Sequence, residues 1–170
     1  MPKNIEIKLK LDDPEKTRQR IEAVADGPAK ERIQRDVFFK TEGGRLKLRL
    51  FPNRPAELIA YHRPDGTTPR ASDYSRVIVE DAEGLIHALQ GTVGLRGEVR
   101  KRRLLYRQGR TRIHFDQVEG LGFYLELEVE MDASMDDAQG QTIAEAILKQ
   151  LDLQDAERIG VAYIDLLERN

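Results

Sequence analysis

A chain of 170 residues, 39% hydrophobic and 34% charged with a net charge of only −2, is long enough for one domain with a real core, and its balanced charge gives no sign of a nucleic-acid or membrane partner. The absence of cysteine excludes disulfides and thiolate metal sites, and three scattered histidines do not form an imidazole cage. With no apolar leader and no run of roughly 18 apolar residues, the expected location is the cytoplasm and the expected organisation is a single domain over 1–170.

The first element, 4–11, alternates strictly: Ile5, Ile7, Leu9 and Leu11 face one way, Asn4, Glu6, Lys8 and Lys10 the other. Pro14–Ala25 reads as a helix with Asp13 as N-cap and proline in its first turn. Strands follow at 35–40, at 45–51 with Arg45, Lys47 and Arg49 opposite Leu46, Leu48 and Leu50, and at 57–62, where His62 or Arg63 belongs to the charged face. After the longest loop, 64–73, with two prolines and a glycine, come a strand at 74–80 and a short helix at 82–90. The strand 97–106 puts Lys101 and Arg103 on one face and Arg100 and Arg102 on the other. In 110–117, Arg112, His114 and Asp116 oppose Ile113 and Phe115. In 123–131, Glu126, Glu128 and Glu130 oppose Leu125, Leu127 and Val129. Helices over Ser134–Leu151 and Gly160–Glu168 end the chain. Tight turns are marked by Gly43-Gly44, Gln108-Gly109 and Glu119-Gly120.

Eight strands with mostly short connections form an antiparallel sheet, and with few helices they close into a barrel or a strongly curved sheet, an α+β fold. Any single charged face is ordinary, because an antiparallel sheet normally wets one side. The set reads differently. The opposite faces are nearly pure Leu, Ile and Val, and the helices can cover them from outside. On closure the charges then face inward. Unpaired charges there cost several kcal/mol each, so the lumen needs water and a counter-ligand. Basic residues on several strands suit a polyanion rich in oxygen. Carboxylates beside them fit if a hard divalent cation lies between, and Mg2+ or Mn2+ prefers carboxylate, water and phosphate oxygens.

On these residues the chain resembles the CYTH family, the triphosphate tunnel metalloenzymes, and most closely its class IV adenylyl cyclase-like members. Asn4-Ile5-Glu6-Ile7-Lys8 stands where that family has Glu-x-Glu-x-Lys. GRLKLRL at 44–50, LIAYHRPDG at 58–66, VRKRRLLY at 99–106, RIHFDQVEGLGFYLELEVE at 112–130 and AYIDLL at 162–167 are similar to its other blocks, over essentially the whole chain. The resemblance implies an eight-stranded antiparallel tunnel for a small-molecule triphosphate, working with Mg2+ or Mn2+, as an adenylyl cyclase or as a phosphohydrolase of thiamine triphosphate, tripolyphosphate or a nucleotide. It implies Glu6, Glu126, Glu128 and Asp116 as metal ligands, and Glu6, Lys8 and Asp116 as catalytic. Lys8, Lys47, Arg49, Lys101 and Arg103 become phosphate ligands, with Arg63 and Arg76 matched more loosely. A homodimer is compatible with it.

The departure is Asn4, an amide in place of the first glutamate, which weakens any second metal site. It keeps open a non-catalytic polyphosphate- or nucleotide-binding module. An RNA-binding sheet using Arg100–Arg103 is disfavoured by the near-neutral charge. Glu130 is expected in solvent, His114 as a structural histidine, and Tyr163 as packing the last helix against the tunnel mouth.

Overall fold

The computed structural model describes residues 3–62, 66–67 and 70–170, with backbone alone at 70–72. Eight strands appear in chain order: β1 (Lys3–Lys10), β2 (Lys30–Phe39), β3 (Arg45–Leu50), β4 (Ala56–His62), β5 (Arg70–Val79), β6 (Leu95–Gln108), β7 (Thr111–Val118) and β8 (Gly122–Met131). They close into a barrel in the order β1-β5-β4-β3-β2-β6-β7-β8, every neighbouring pair antiparallel. Among the described residues four helices complete the fold: α1 (Pro14–Val24), α2 (Ala82–Gln90), α3 (Asp137–Gln150) and α4 (Tyr163–Glu168). Among the described residues no helix is long and apolar enough to cross a membrane.

The apolar faces lie outside the barrel, under helices. Ile5, Ile7 and Leu9 of β1 and Leu125, Leu127 and Val129 of β8 are buried with Ile21 of α1 and Ala144, Ile147 and Leu148 of α3. On another side, α2 brings Leu85, Ile86 and Leu89 against Val37, Phe39 and Leu48. A third cluster lies within the barrel. Phe38, Val99, Val118 and Tyr124 share the face of the charged residues two positions away, and they meet Ala162, Tyr163 and Ile164 of the C-terminal segment. The last helix therefore fills one end of the lumen.

Several boundaries differ from the expected ones. Strand β2 starts at Lys30, five residues early, because Lys30–Gln34 pairs along the far end of β6 beyond the helix cover. Its Ile33 is 49% exposed there, so no apolar alternation marks it. The segment read as a loop to 73 turns extended at Arg70 and pairs with β1. Helix α3 begins after Asp136, which accepts from the backbone of Gln139 while the Gln139 side chain accepts from the backbone N–H of Asp136, a reciprocal cap. Helix α4 begins only at Tyr163.

Gly140 lets α3 approach the sheet. A Cβ there would lie 2.5 Å from Ile5 Cγ1 and 2.6 Å from Met131 Sδ. Glycine to alanine in a helix interior ordinarily gains about 1 kcal/mol. Gly140→Ala should instead lose about 1–3 kcal/mol through overpacking, read as a lower urea midpoint at unchanged slope.

Candidate active site

The lumen holds a cavity of about 330 Å3 with two unlike walls. The basic wall comes from β2, β3 and β6, where alternation turns Arg32, Lys47, Arg49, Lys101 and Arg103 inward. At its centre is Asp36, 1% exposed. Arg49 donates to both of its oxygens at 2.8 Å, Lys47 stands 3.2 Å away and Lys101 3.8 Å. Burial pushes the Asp36 carboxyl up, but the three cations outweigh it and hold it well below the usual carboxylate range. The lysines bear the opposite effect. Burial, then Arg103 and Arg49, hold the Lys101 ammonium well below its ordinary value. Burial and Arg49 lower Lys47 too. Arg103 donates to both oxygens of Asp116 at 2.7 Å, and the Tyr163 hydroxyl donates to the same carboxylate at 2.8 Å. Burial opposes ionisation of Asp116, yet Arg103 brings it down to about 2.

The acidic wall comes from β1, β7 and β8, and its register fixes which groups meet. Glu128 lies opposite Glu6 on one side and Arg112 on the other. Glu126 lies between Lys8 and His114 in the same way. Arg112 donates to Glu128 at 3.0 Å and stands 3.2 Å from Glu130. Lys8 Nζ is 3.8 Å from Glu126 and donates to the Val161 carbonyl at 3.2 Å. One potential ligand atom each from His114, Glu126 and Glu128 falls within 4.8 Å of the others. With its amide oriented to satisfy its neighbours, Asn4 donates to the Lys3 carbonyl at 3.1 Å and accepts from Arg112 at 3.3 Å.

Glu6, Lys8, Lys47, Arg49, Arg76, Lys101, Arg103, Glu126 and Glu128 thus line one cavity. Arg76 is at its rim, 57% exposed and 3.9 Å from Glu57. Arg63 lies outside the described residues. The placement of Asp116 differs from the expectation of a metal ligand: it is fully buried behind the wall, with both oxygens taken by Arg103 and Tyr163. Tyr163 packs the C-terminal segment into one end of the lumen. Its ring forms the floor, 4.1 Å from Lys8 Nζ and 5.2 Å from that of Lys101. Arg45 turns to Asp165 of α4 at 2.9 Å. Arg100 and Arg102 are exposed and pair with Glu98 and Glu31. Glu130, partly exposed, pairs with Arg107 and Arg112.

Sequence reasoning missed Asp36, Arg32 and Glu57. Asp36 was in view as the one acid in Arg35–Phe39, at a position whose alternation partner is Phe38. Glu57, buried beside Arg54, stands opposite Arg49 in the β3–β4 register.

A model of the CYTH domain family matches residues 2–163. Among solved structures, the PH1012 protein of Pyrococcus horikoshii OT3 superposes with a TM-score of 0.85 at 22% identity, over 96% of this chain and 98% of that one. A conserved hypothetical protein of Pyrococcus furiosus gives 0.85 at 19%, over 96% and 99%. HpAC1 of Hippeastrum, an adenylyl cyclase candidate described as having a dominant triphosphatase activity, gives 0.72 at 18%, over 99% and 96%. At these identities the likeness is one of fold. No curated protein sequence matches the chain.

Removing the shared counter-ion tests the basic wall. Asp36→Asn should cost about 3–5 kcal/mol in urea unfolding at low salt, because three buried cations lose their carboxylate. Millimolar sulfate should recover part of the loss, and more of it than in the parent.

Proposed function

The chain belongs to the CYTH domain family, and from that premise and the two-walled cavity we propose that it is a divalent-metal-dependent enzyme acting on a triphosphate. The observation that carries the reading is the opposition of the walls. Cations with too few carboxylates face acids that would repel the same ligand unless a cation intervened. In this reading the phosphate chain lies along Lys47, Arg49, Lys101 and Arg103, with Arg32 and Lys8 at its flanks and Arg76 towards the rim; Arg63 remains a looser candidate for the same role. Asp116 does not reach the substrate. It positions Arg103, whose guanidinium is then fixed in angle before any phosphate arrives.

Glu6, Glu126 and Glu128 supply the oxygen donors that Mg2+ or Mn2+ requires, so the wall fits such an ion. When bound there, the cation neutralises charge that builds on the phosphoryl oxygens. The side chains do the rest by holding the chain of phosphates in line. A cyclase directs the ribose 3'-hydroxyl to the α-phosphorus and releases pyrophosphate. A hydrolase directs water to the terminal phosphorus. An organic group on the triphosphate finds aromatic surfaces on the cavity wall, among them Tyr61, Tyr74 and Phe51, the last with the Arg54 guanidinium 3.5 Å from its ring centroid. A freely diffusing substrate and a cytoplasmic setting go with this reading. Asn4 supports a second one, a polyphosphate- or nucleotide-binding module without turnover, because its amide brings no charge and its oxygen is engaged by Arg112.

Incubation with ATP, thiamine triphosphate and tripolyphosphate, each with Mg2+ or Mn2+, resolves the readings by product: cAMP with pyrophosphate, phosphate, or neither. Glu128→Gln should lower kcat a hundredfold or more, about 2.7 kcal/mol, while metal-free affinity for triphosphate holds or rises. Lys101→Ala should weaken that metal-free affinity. Full activity of Glu128→Gln at limiting metal would exclude the acidic wall as the metal site.

Affinity for triphosphate should also fall as pH rises. Burial and neighbouring cations depress Lys101 and Lys47 in the free protein, and a bound anion raises them again, so binding takes up protons. Calorimetry in two buffers of different ionisation enthalpy should detect that uptake, and a proton-neutral isotherm at every pH would contradict it.

A further inference from the structure

His114 is the buried group that the reading above leaves unused. It sits on the inward face of β7, directly opposite Glu126 of β8, and is 5% exposed. A buried imidazole is normally anchored by a hydrogen bond from at least one nitrogen. Here Nδ1 is shut off from solvent and has no partner. Nε2 stands 3.9 Å from the Glu128 carboxylate, beyond hydrogen-bond reach. His114 is an imidazole beside two carboxylates, with the potential ligand atoms of all three within 4.8 Å. Nor is Glu128 consumed by its arginine. Arg112 binds Oε2, and no described group donates a hydrogen bond to Oε1.

We propose that His114 is a nitrogen ligand of the cation site formed with Glu126 and Glu128, and that it makes the site select a first-row transition cation, Mn2+, Co2+ or Zn2+, over Mg2+. The proposal rests on the reading that the acidic wall holds a cation, and it names which class. Mg2+ demands oxygen ligands in near-ideal octahedral geometry and gives up water reluctantly, so an imidazole in its shell is a poor exchange. Imidazole nitrogen suits the later first-row ions, and a carboxylate pair does not by itself discriminate against them. A histidine with a purely structural role would anchor a nitrogen to its surroundings, which this one does not do.

The test uses the full chain and Mn2+ alone. Loss of the free Mn2+ EPR signal measures affinity, Mg2+ is measured by competition, and pulsed EPR reads directly bonded nitrogen. The parent should show one nitrogen coupling on bound Mn2+. His114→Asn should abolish it and weaken Mn2+ about tenfold or more while Mg2+ changes less than about threefold. His114→Asp, an all-oxygen site, should narrow the preference for Mn2+ over Mg2+. Bound Mn2+ without nitrogen coupling in the parent, equal losses for both ions in His114→Asn, or no Mn2+ binding overturns the proposal. The parent spectrum decides even where a variant folds poorly. Triphosphate turnover with Mn2+ held by oxygen alone removes this proposal and leaves the proposed function. Nitrogen-bound Mn2+ with no triphosphate turnover or binding does the reverse.

Discussion

Closing eight amphipathic strands with their apolar sides outward moves a large set of charges out of bulk water. Each would cost several kcal/mol if left unpaired, and the barrel meets this by sharing counter-ions. Asp36 serves Lys47, Arg49 and Lys101 together, and Asp116 serves Arg103. Among the described residues the basic wall nonetheless carries five cations, with Arg32, against the two carboxylates Asp36 and Asp116. The surplus is felt where protonation can respond, at Lys101 and Lys47, since arginine does not yield its proton. A lumen in that condition is preorganised for an anion: its cations are already desolvated and oriented, and a ligand spends little to order them.

The C-terminal segment belongs to the same solution. Phe38, Val99, Val118 and Tyr124 face inward at one end, and without cover they would leave apolar surface beside the charges. Tyr163 and Ile164 fill that space. Tyr163 also offers its ring face to Lys8 and Lys101 and its hydroxyl to Asp116. One aromatic side chain thus packs the plug, screens two lysines and fixes the carboxylate behind Arg103. Arg45 and Arg96, both bound to Asp165, tie the helix to β3 and β6 from outside the cavity. The floor of the site and the attachment of the chain's end are therefore one structure.

How much of this was legible depended on how far apart in sequence the partners lie. Strict alternation in Ile5–Leu11, Leu46–Leu50 and Leu125–Val129 carried the strands and their two faces. Only the set of strands, with helices to cover Leu and Ile, indicated which face is inside. The meander β6-β7-β8 is joined by tight turns with Gly109 at φ 56° and Gly120 at φ 80°, and such turns fix register. Arg103 beside Asp116, and His114 beside Glu126, follow from them. By contrast, Asp36 meets Lys101 only because β2 pairs with β6, 65 positions away, and no local pattern announces that pairing. The same holds for the depth of Tyr163, expected to pack the last helix against the tunnel mouth, because nothing near it in sequence shows the inward apolar ring that it completes.

The acidic wall poses the sharper energetic question. Glu6 and Glu128 stand directly opposite each other across β1 and β8, an arrangement of like charges that ordinarily destabilises a sheet. Arg112 eases it, reaching Glu128, Glu130 and the Asn4 amide. A glutamate at position 4 would place another carboxylate at this guanidinium and draw it from Glu128. With the amide there, Arg112 stays on Oε2 of Glu128, the oxygen 3.9 Å from His114 Nε2, and no described group donates a hydrogen bond to Oε1. Asn4 therefore removes charge from one end of the acidic wall while keeping the other end disposed to hold a cation. Stability alone does not select opposed glutamates beside a buried, unanchored imidazole, whereas a cation drawn between them makes each of the three a favourable contact.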